Sequence, residues 1–217
     1  VLLTVFSSSA FAQSQEQMLK STISSSLPAT LSKKDLDAFY SQVSYRPMFV
    51  SGTVTTTKLA ELQDTVLRIE RHGLKPTDYQ RPEITMAAGT NVGTSWAIVE
   101  LNAAQTLINM ARHVSVGRVN PSSIATDIKF EQRSFSLAQI YSLAAIVNGN
   151  SIDSVIDGVA SQTTEYWNLM GIRSHLMNIR ARGGWADIVP PQTVFRLGVS
   201  DPKVIALKER LRDYGYV

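Results

Sequence analysis

The chain of 217 residues contains no cysteine. Disulfides, thiolate metal ligands and a cysteine nucleophile are therefore excluded within this sequence. Charged residues are scarce at 18%, against about 25% in an average globular domain, and the net charge is only +3. Such a small charge does not indicate a nucleic-acid-binding surface. Because 44% of the residues are hydrophobic, the composition instead indicates a globular protein with a packed core.

The sequence also lacks an apolar run long enough to span a bilayer, which takes about 20 residues. Five of its first six residues are apolar, and Ala10-Phe11-Ala12 offers small residues where a signal peptidase would read them. We predict a truncated signal peptide over residues 1–12, cleaved before Gln13, and therefore export to the periplasm or cell envelope without stable membrane insertion after cleavage. The alternative is a disordered apolar start of a mature protein.

No segment shows the alternation typical of strands, so the predicted fold is mainly α. The Ser- and Gln-rich residues 13–30 are expected to form a flexible linker, with a weak helix around Met18 as the alternative. Apolar residues at helical spacing, bounded by capping residues, glycine and proline, then predict successive helices. These are a helix from Ser32 that Pro47 ends, Thr55–His72, Trp96–Val114, Ser134 or Ser136 to Val147, Ile152–Ala160, Thr164–Arg182, and one opened by Ser200-Asp201-Pro202. In the helix after Thr164, the residues available for the core are Trp167, Met170, Leu176 and Ile179.

Residues that could carry chemistry are few and scattered. His72 and His113 lie near predicted helix C-termini, where complementing the helix dipole is the simplest role, and His175 is expected to be exposed or hydrogen-bonded. No zinc, P-loop, dinucleotide or EF-hand signature is present. We therefore assign no catalytic, cofactor-binding or metal-binding residue, and expect no cofactor.

Two groups of side chains leave alternatives open. Basic residues crowd toward helix ends, which is typical of a solvated face but also fits contact with an anionic polymer or membrane surface. Aromatic residues around Pro47 are expected to pin an irregular segment to the core, with stacking on sugars as the alternative. The basic residues are Arg68, Arg71 and His72, then Arg173, His175, Arg180 and Arg182; the aromatic ones are Phe39, Tyr40, Tyr45 and Phe49.

Several phrases, taken in order, resemble the scaffold domain of the large periplasmic L,D-transpeptidases. The family usually has Trp where Phe49 stands and Asp where Asn120 stands. A final phrase resembles the first helix of a peptidoglycan-binding module. The phrases are YRPMF at 45–49, preceded by Phe39-Tyr40 and followed by Gly52; RHGLKPTDY at 71–79; VGRVNP at 116–121; GGW at 183–185 followed by Pro190; and SDPKV at 200–204 with Leu207, Leu211 and Gly215-Tyr216.

The resemblance implies an irregular multi-helix scaffold domain with long loops over 31–190. A linker and the start of an incomplete three-helix peptidoglycan-binding module follow over 191–217. In that family a separate cysteine-dependent domain joins peptidoglycan stem peptides by 3-3 cross-links. His113 and Gly117 match the H-x-x-x-G form found in that domain, but the chain has no cysteine to complete it, so the match is accidental. The parent protein is expected to be an L,D-transpeptidase, and whether this chain is itself an enzyme stays open.

The implied role is therefore a non-catalytic scaffold in cell-wall biogenesis. Its expected partners are peptidoglycan, through the parent protein, and a C-terminal catalytic domain, with no nucleic acid. One alternative is a free-standing periplasmic adaptor that binds peptidoglycan or a protein without catalysis. Another is a glycan-cleaving hydrolase that uses two carboxylates, although the sequence places no such pair.

Overall fold

The structure is a computed structural model that describes residues 2–87, 96–119, 123–124, 133–185, 194–198 and 200–216, with side chains from residue 13 onward. It confirms a mainly α fold. The elements are α1 (Leu2–Ser25), α2 (Lys33–Ser41), β1 (Val50–Ser51), β2 (Val54–Thr55), α3 (Thr57–Arg68), 3-10 turns at Ile69–His72 and Pro76–Asp78, α4 (Pro82–Ala87), α5 (Trp96–Val116), α6 (Leu137–Val147), α7 (Ile152–Val159), α8 (Thr164–Ala181) and α9 (Pro202–Asp213).

Three helices begin at the capping residues that the sequence predicts. The Ser32 side chain accepts a hydrogen bond from the Asp35 N–H at the start of α2. Ser136 forms a reciprocal capping box with Gln139 at the start of α6. Asp201 accepts from the Lys203 N–H at the start of α9. Each oxygen satisfies an N–H that has no acceptor within its own helix.

Helix α5 lies at the centre of the core. Leu101, Leu107 and Ile108 are completely buried on it, and α1, α2, α3, α4 and α7 all pack against it. A helix surrounded in this way needs small side chains where its neighbours come close. The predicted alanine positions meet this need, since Ala97, Ala104 and Ala111 are all buried.

The N-terminal segment differs from its prediction as a flexible linker over 13–30. Helix α1 continues to Ser25, and Leu19 and Ile23 are buried against α2 and α5. Residues four positions apart share one helix face, so these two side chains lie on the face by which α1 packs against the core. Serine and threonine hydroxyls in α1 donate to carbonyls three or four residues earlier. The Ser-rich composition is therefore compatible with a helix in this context.

The segment between α2 and α3 also departs from expectation. Helix α2 ends at Ser41, before Pro47, and Ser44 and Tyr45 adopt positive φ angles of 53° and 59°. The strands β1 and β2 then form a short antiparallel hairpin that turns at Gly52. Strands of two residues are too short to show alternation in a sequence, which is why no strand was predicted.

The described residues divide into two compact units, 1–166 and 167–217. In the second unit Ile179 is buried as predicted, but Trp167 and Leu176 are 37% and 39% exposed. The prediction that these two lie in the core is therefore wrong. No residue of α9 is buried. None of the helices described is long and apolar enough to cross a membrane.

Candidate functional site

A buried carboxylate holds the aromatic segment around Pro47. Both oxygens of Glu100, on α5, accept hydrogen bonds from consecutive backbone N–H groups. Met48 N–H donates to Oε1 at 2.7 Å, and the N–H groups of Phe49 and Val50 donate to Oε2 at 2.8 Å. The Tyr40 hydroxyl donates to Oε1 at 2.6 Å. One side chain thus satisfies four donors that would otherwise be buried without acceptors.

The environment of Glu100 opposes its ionisation. The side chain is completely buried, and burial raises its pKa to about 7, although the four hydrogen bonds act in the opposite direction. The aromatic residues Phe39, Tyr40 and Phe49 are all buried next to it. Their predicted role in pinning the irregular segment to the core is confirmed, and none of the three offers an open ring face for stacking on a sugar.

The basic residues at the end of α3 contact acidic residues of α7. Arg71 lies 2.7 Å from an Asp157 oxygen and 3.3 Å from an Asp153 oxygen. Arg68 adds a contact of 3.2 Å with Asp153. The prediction that Arg71 belongs to a solvated face that complements the helix dipole is therefore wrong. Asp153 and Asp157 on α7 lie close enough to form ion pairs with it.

His72 lies beneath these ion pairs, and its side chain is fully buried. Its Nε2 is 3.1 Å from Asp157, and its Nδ1 is 2.6 Å from the Tyr166 hydroxyl. Burial lowers the pKa of His72, and the neighbouring Arg71 lowers it further, while Asp157 acts in the opposite direction. The imidazole therefore joins the start of α8 to α7 and to the turn after α3.

The second and third phrases of the resemblance meet in space. The Tyr79 hydroxyl is hydrogen-bonded to His113 Nδ1 at 2.7 Å, and Arg118 forms an ion pair with Asp78. Burial lowers the pKa of His113. Gly117 closes α5 with φ of 86°, a conformation that favours glycine. The part of this phrase from Asn120 to Pro121 lies outside the described residues.

These three clusters are suited to packing rather than to chemistry. His72 and His113 each have one ring nitrogen hydrogen-bonded to a tyrosine hydroxyl, and no serine hydroxyl among the described residues is hydrogen-bonded to either ring. In the H-x-x-x-G match, the Gly117 N–H donates to the His113 carbonyl as an ordinary helix end. No group of histidine, aspartate and glutamate side chains suited to a metal ion occurs among the described residues. His175, as predicted, is hydrogen-bonded, to the Asp213 carbonyl.

Sequence reasoning found the phrases but missed their partners. Glu100, Asp153 and Asp157 were not singled out, because they are single acidic residues on amphipathic helices. A charged residue within the otherwise apolar start of α5 was the one signal for Glu100, since an unpaired buried charge is costly. Asp153 and Asp157 lie one helical turn apart, which was a weaker signal that this face of α7 forms ion pairs.

This is a helical domain whose characteristic phrases hold helices together. The family model described as Scaffold domain matches residues 34–171, which is more than half of the chain. The chain therefore belongs to the Scaffold domain family, as the resemblance implies. No curated protein and no solved structure matches the chain.

Proposed function

We propose that this chain is the non-catalytic scaffold of a cell-wall L,D-transpeptidase, acting in peptidoglycan 3-3 cross-linking. The family match supports a scaffold role. The resemblance of the quoted phrases supports the transpeptidase assignment. In this proposal the scaffold holds a separate cysteine-dependent domain, and residues 191–217 are a linker and the start of a peptidoglycan-binding module.

The observation that carries the proposal is that the first three phrases of the resemblance, as far as the structure describes them, take part in contacts that hold helices together. Glu100 holds residues 48–50, Arg71 and His72 hold α7, and Tyr79 holds His113. A catalytic site would leave a nucleophile or base able to reach a substrate. Buried and partly buried side chains that bind one another instead give rigidity, which is what a supporting domain contributes to an active site on a neighbouring domain.

The proposal places the protein in the periplasm or cell envelope, exported by the signal peptide inferred from residues 1–12. Its partners are then peptidoglycan and a catalytic domain. The test uses this chain and the same chain continued to the end of its gene. Each is incubated with purified sacculi and with a disaccharide-tetrapeptide, and the products are identified by mass spectrometry.

The expected result is that only the continued chain forms cross-linked dimers with loss of alanine. Introducing Glu100→Ala into that protein should lower dimer formation and the melting temperature together, whereas Glu83→Gln, at an exposed position of α4, should change neither. If neither chain forms dimers but both sediment with sacculi, the free-standing adaptor replaces this proposal. If this chain alone releases soluble fragments, a hydrolase does.

A further inference from the structure

A groove lies between α3 and α4, next to the Tyr79–His113 hydrogen bond. It has a volume of about 280 Å³. Its walls are formed by the apolar side chains of Val66, Leu67 and Ile84, and Tyr79 also lines it. Leu67 is 62% exposed, so the groove is open to solvent on that side.

The groove exists before any ligand binds. The Gln63 side-chain amide donates to the Ile84 carbonyl at 2.7 Å and ties α3 to α4. Tyr79 is fixed through its hydroxyl by His113, and Val66 and Ile84 are almost completely buried. A site with fixed walls loses less ordering entropy when it binds a ligand.

Two opposite charges line this apolar groove. Asp64 lies on α3, and Arg81 directly precedes α4. Within the described ranges neither side chain forms an ion pair or a side-chain hydrogen bond, although both groups are suited to charge-assisted bonds. The groove therefore offers a guanidinium group that can bind an anion, a carboxylate that can bind a cation, and an apolar surface.

We propose that this groove binds a small zwitterion with an apolar side chain, the class formed by free apolar amino acids and dipeptides. The ligand carboxylate is bound by Arg81, the ammonium group by Asp64, and the side chain by Val66, Leu67 and Ile84. The volume lies at the lower end of small-molecule sites, so one or two residues fill it. This inference is independent of the scaffold role.

The test is a titration of the ¹⁵N-labelled chain with leucine and with leucyl-leucine, followed by the amide chemical shifts. N-acetyl-leucine amide, which has the same side chain and no charges, is titrated in parallel. We expect saturable shifts confined to residues 63–67 and 79–85, with at least about tenfold weaker binding of the uncharged compound, because two charge-assisted hydrogen bonds are lost.

Three variants separate the parts of the site. Asp64→Asn and Arg81→Gln should each weaken leucine binding by about tenfold, and Leu67→Ser should weaken it without changing the preference for the charged ligand. Lys34→Gln removes a cation from the exposed start of α2 and should leave binding unchanged. Absence of shifts at millimolar ligand, equal binding of the uncharged compound, or equal effects of Lys34→Gln and Arg81→Gln would each overturn the proposal.

Discussion

The Tyr79 hydroxyl lies 2.7 Å from His113 Nδ1, joining two segments that are 34 residues apart in sequence. Tyr79 follows the turn at Pro76–Asp78, and His113 lies in the last turns of α5. The ring of Tyr79 is buried against the core. The bond thus fixes the connection between α3 and α4 to the end of the central helix.

Replacing Tyr79 by phenylalanine tests this bond while keeping the ring. We expect Tyr79→Phe to lower the free energy of unfolding by about 1 kcal/mol, since one hydrogen bond is lost and His113 Nδ1 loses its partner. The measurement is urea-induced unfolding followed by circular dichroism. Tyr141→Phe, at a position 36% exposed, is the matched control and should change stability by less than about 0.5 kcal/mol. Equal effects of the two changes would contradict the role given to Tyr79.

The pKa of Glu100, which burial raises to about 7, predicts a pH dependence of stability. The folded protein binds a proton at this site between about pH 4.5 and 7 that the unfolded chain releases. The contribution is therefore fully present below pH 4.5 and is lost as pH rises through 7. It amounts to roughly 3 kcal/mol in total.

The measurement compares wild type with Glu100→Gln in urea unfolding at several pH values from 4.5 to 8. The difference in the free energy of unfolding between wild type and Glu100→Gln reports on this group alone. It cancels the effect of the two histidines, whose lowered pKa values make stability rise with pH. We expect the stability of wild type to fall relative to the variant as pH rises. Glu83→Gln, at an exposed position, should run parallel to wild type. A difference that stays constant with pH would show that Glu100 does not titrate in this range.

Because α1 packs against the core, a substitution in the segment that the sequence predicts as a linker should have a large effect on stability. Leu19 is completely buried, so Leu19→Ala should lower the free energy of unfolding by about 2–5 kcal/mol through lost burial and a cavity. Met18→Ala is the control, because Met18 is 51% exposed. Chemical unfolding of chains that begin at Gln13 provides the test. Stability that is the same in both variants would mean that α1 does not pack as described.

The ion pair of Arg71 and Asp157 is best measured by a double-mutant cycle with Arg71→Gln and Asp157→Asn. Both side chains are about one-third exposed, so we expect a coupling of only about 1 kcal/mol. The control cycle uses Lys58 and Glu61, which are neighbours on α3 at 2.9 Å and should couple by about 0.3–0.5 kcal/mol. The coupling of Arg71 should also decrease in high salt. A coupling energy near zero would contradict the conclusion that this ion pair helps to hold α3 and α7 together.

The helices could be predicted where local signals determine them. Ser136 and Asp201 are good N-caps in any context, and their effect lies within one turn. The docking of α1 could not be predicted in the same way, because only tertiary burial of Leu19 and Ile23 outweighs a Ser-rich composition. The exposure of Trp167 could not be predicted either. Apolar spacing shows that a helix has an apolar face, but not whether another element covers that face.

The candidate site was predictable in part. The phrases containing His72, Tyr79 and His113 stand out in the sequence, and their residues do come together in space. Their acidic partners, such as Asp157, come from a helix some 85 residues away. Contacts of that range depend on the whole topology, which a single sequence does not determine.

The hydrogen bonds that Glu100 accepts from residues 48–50 come from their backbone N–H groups. The carboxylate therefore recognises the path of the chain and not the identity of the side chains along it. A change of side chain at these positions therefore leaves the three backbone donors in place, provided that an acid remains at position 100. At position 49, for example, the phenylalanine ring is buried in the core while the N–H of the same residue binds Glu100, so the side chain and the main chain make separate contributions to holding this segment on α5.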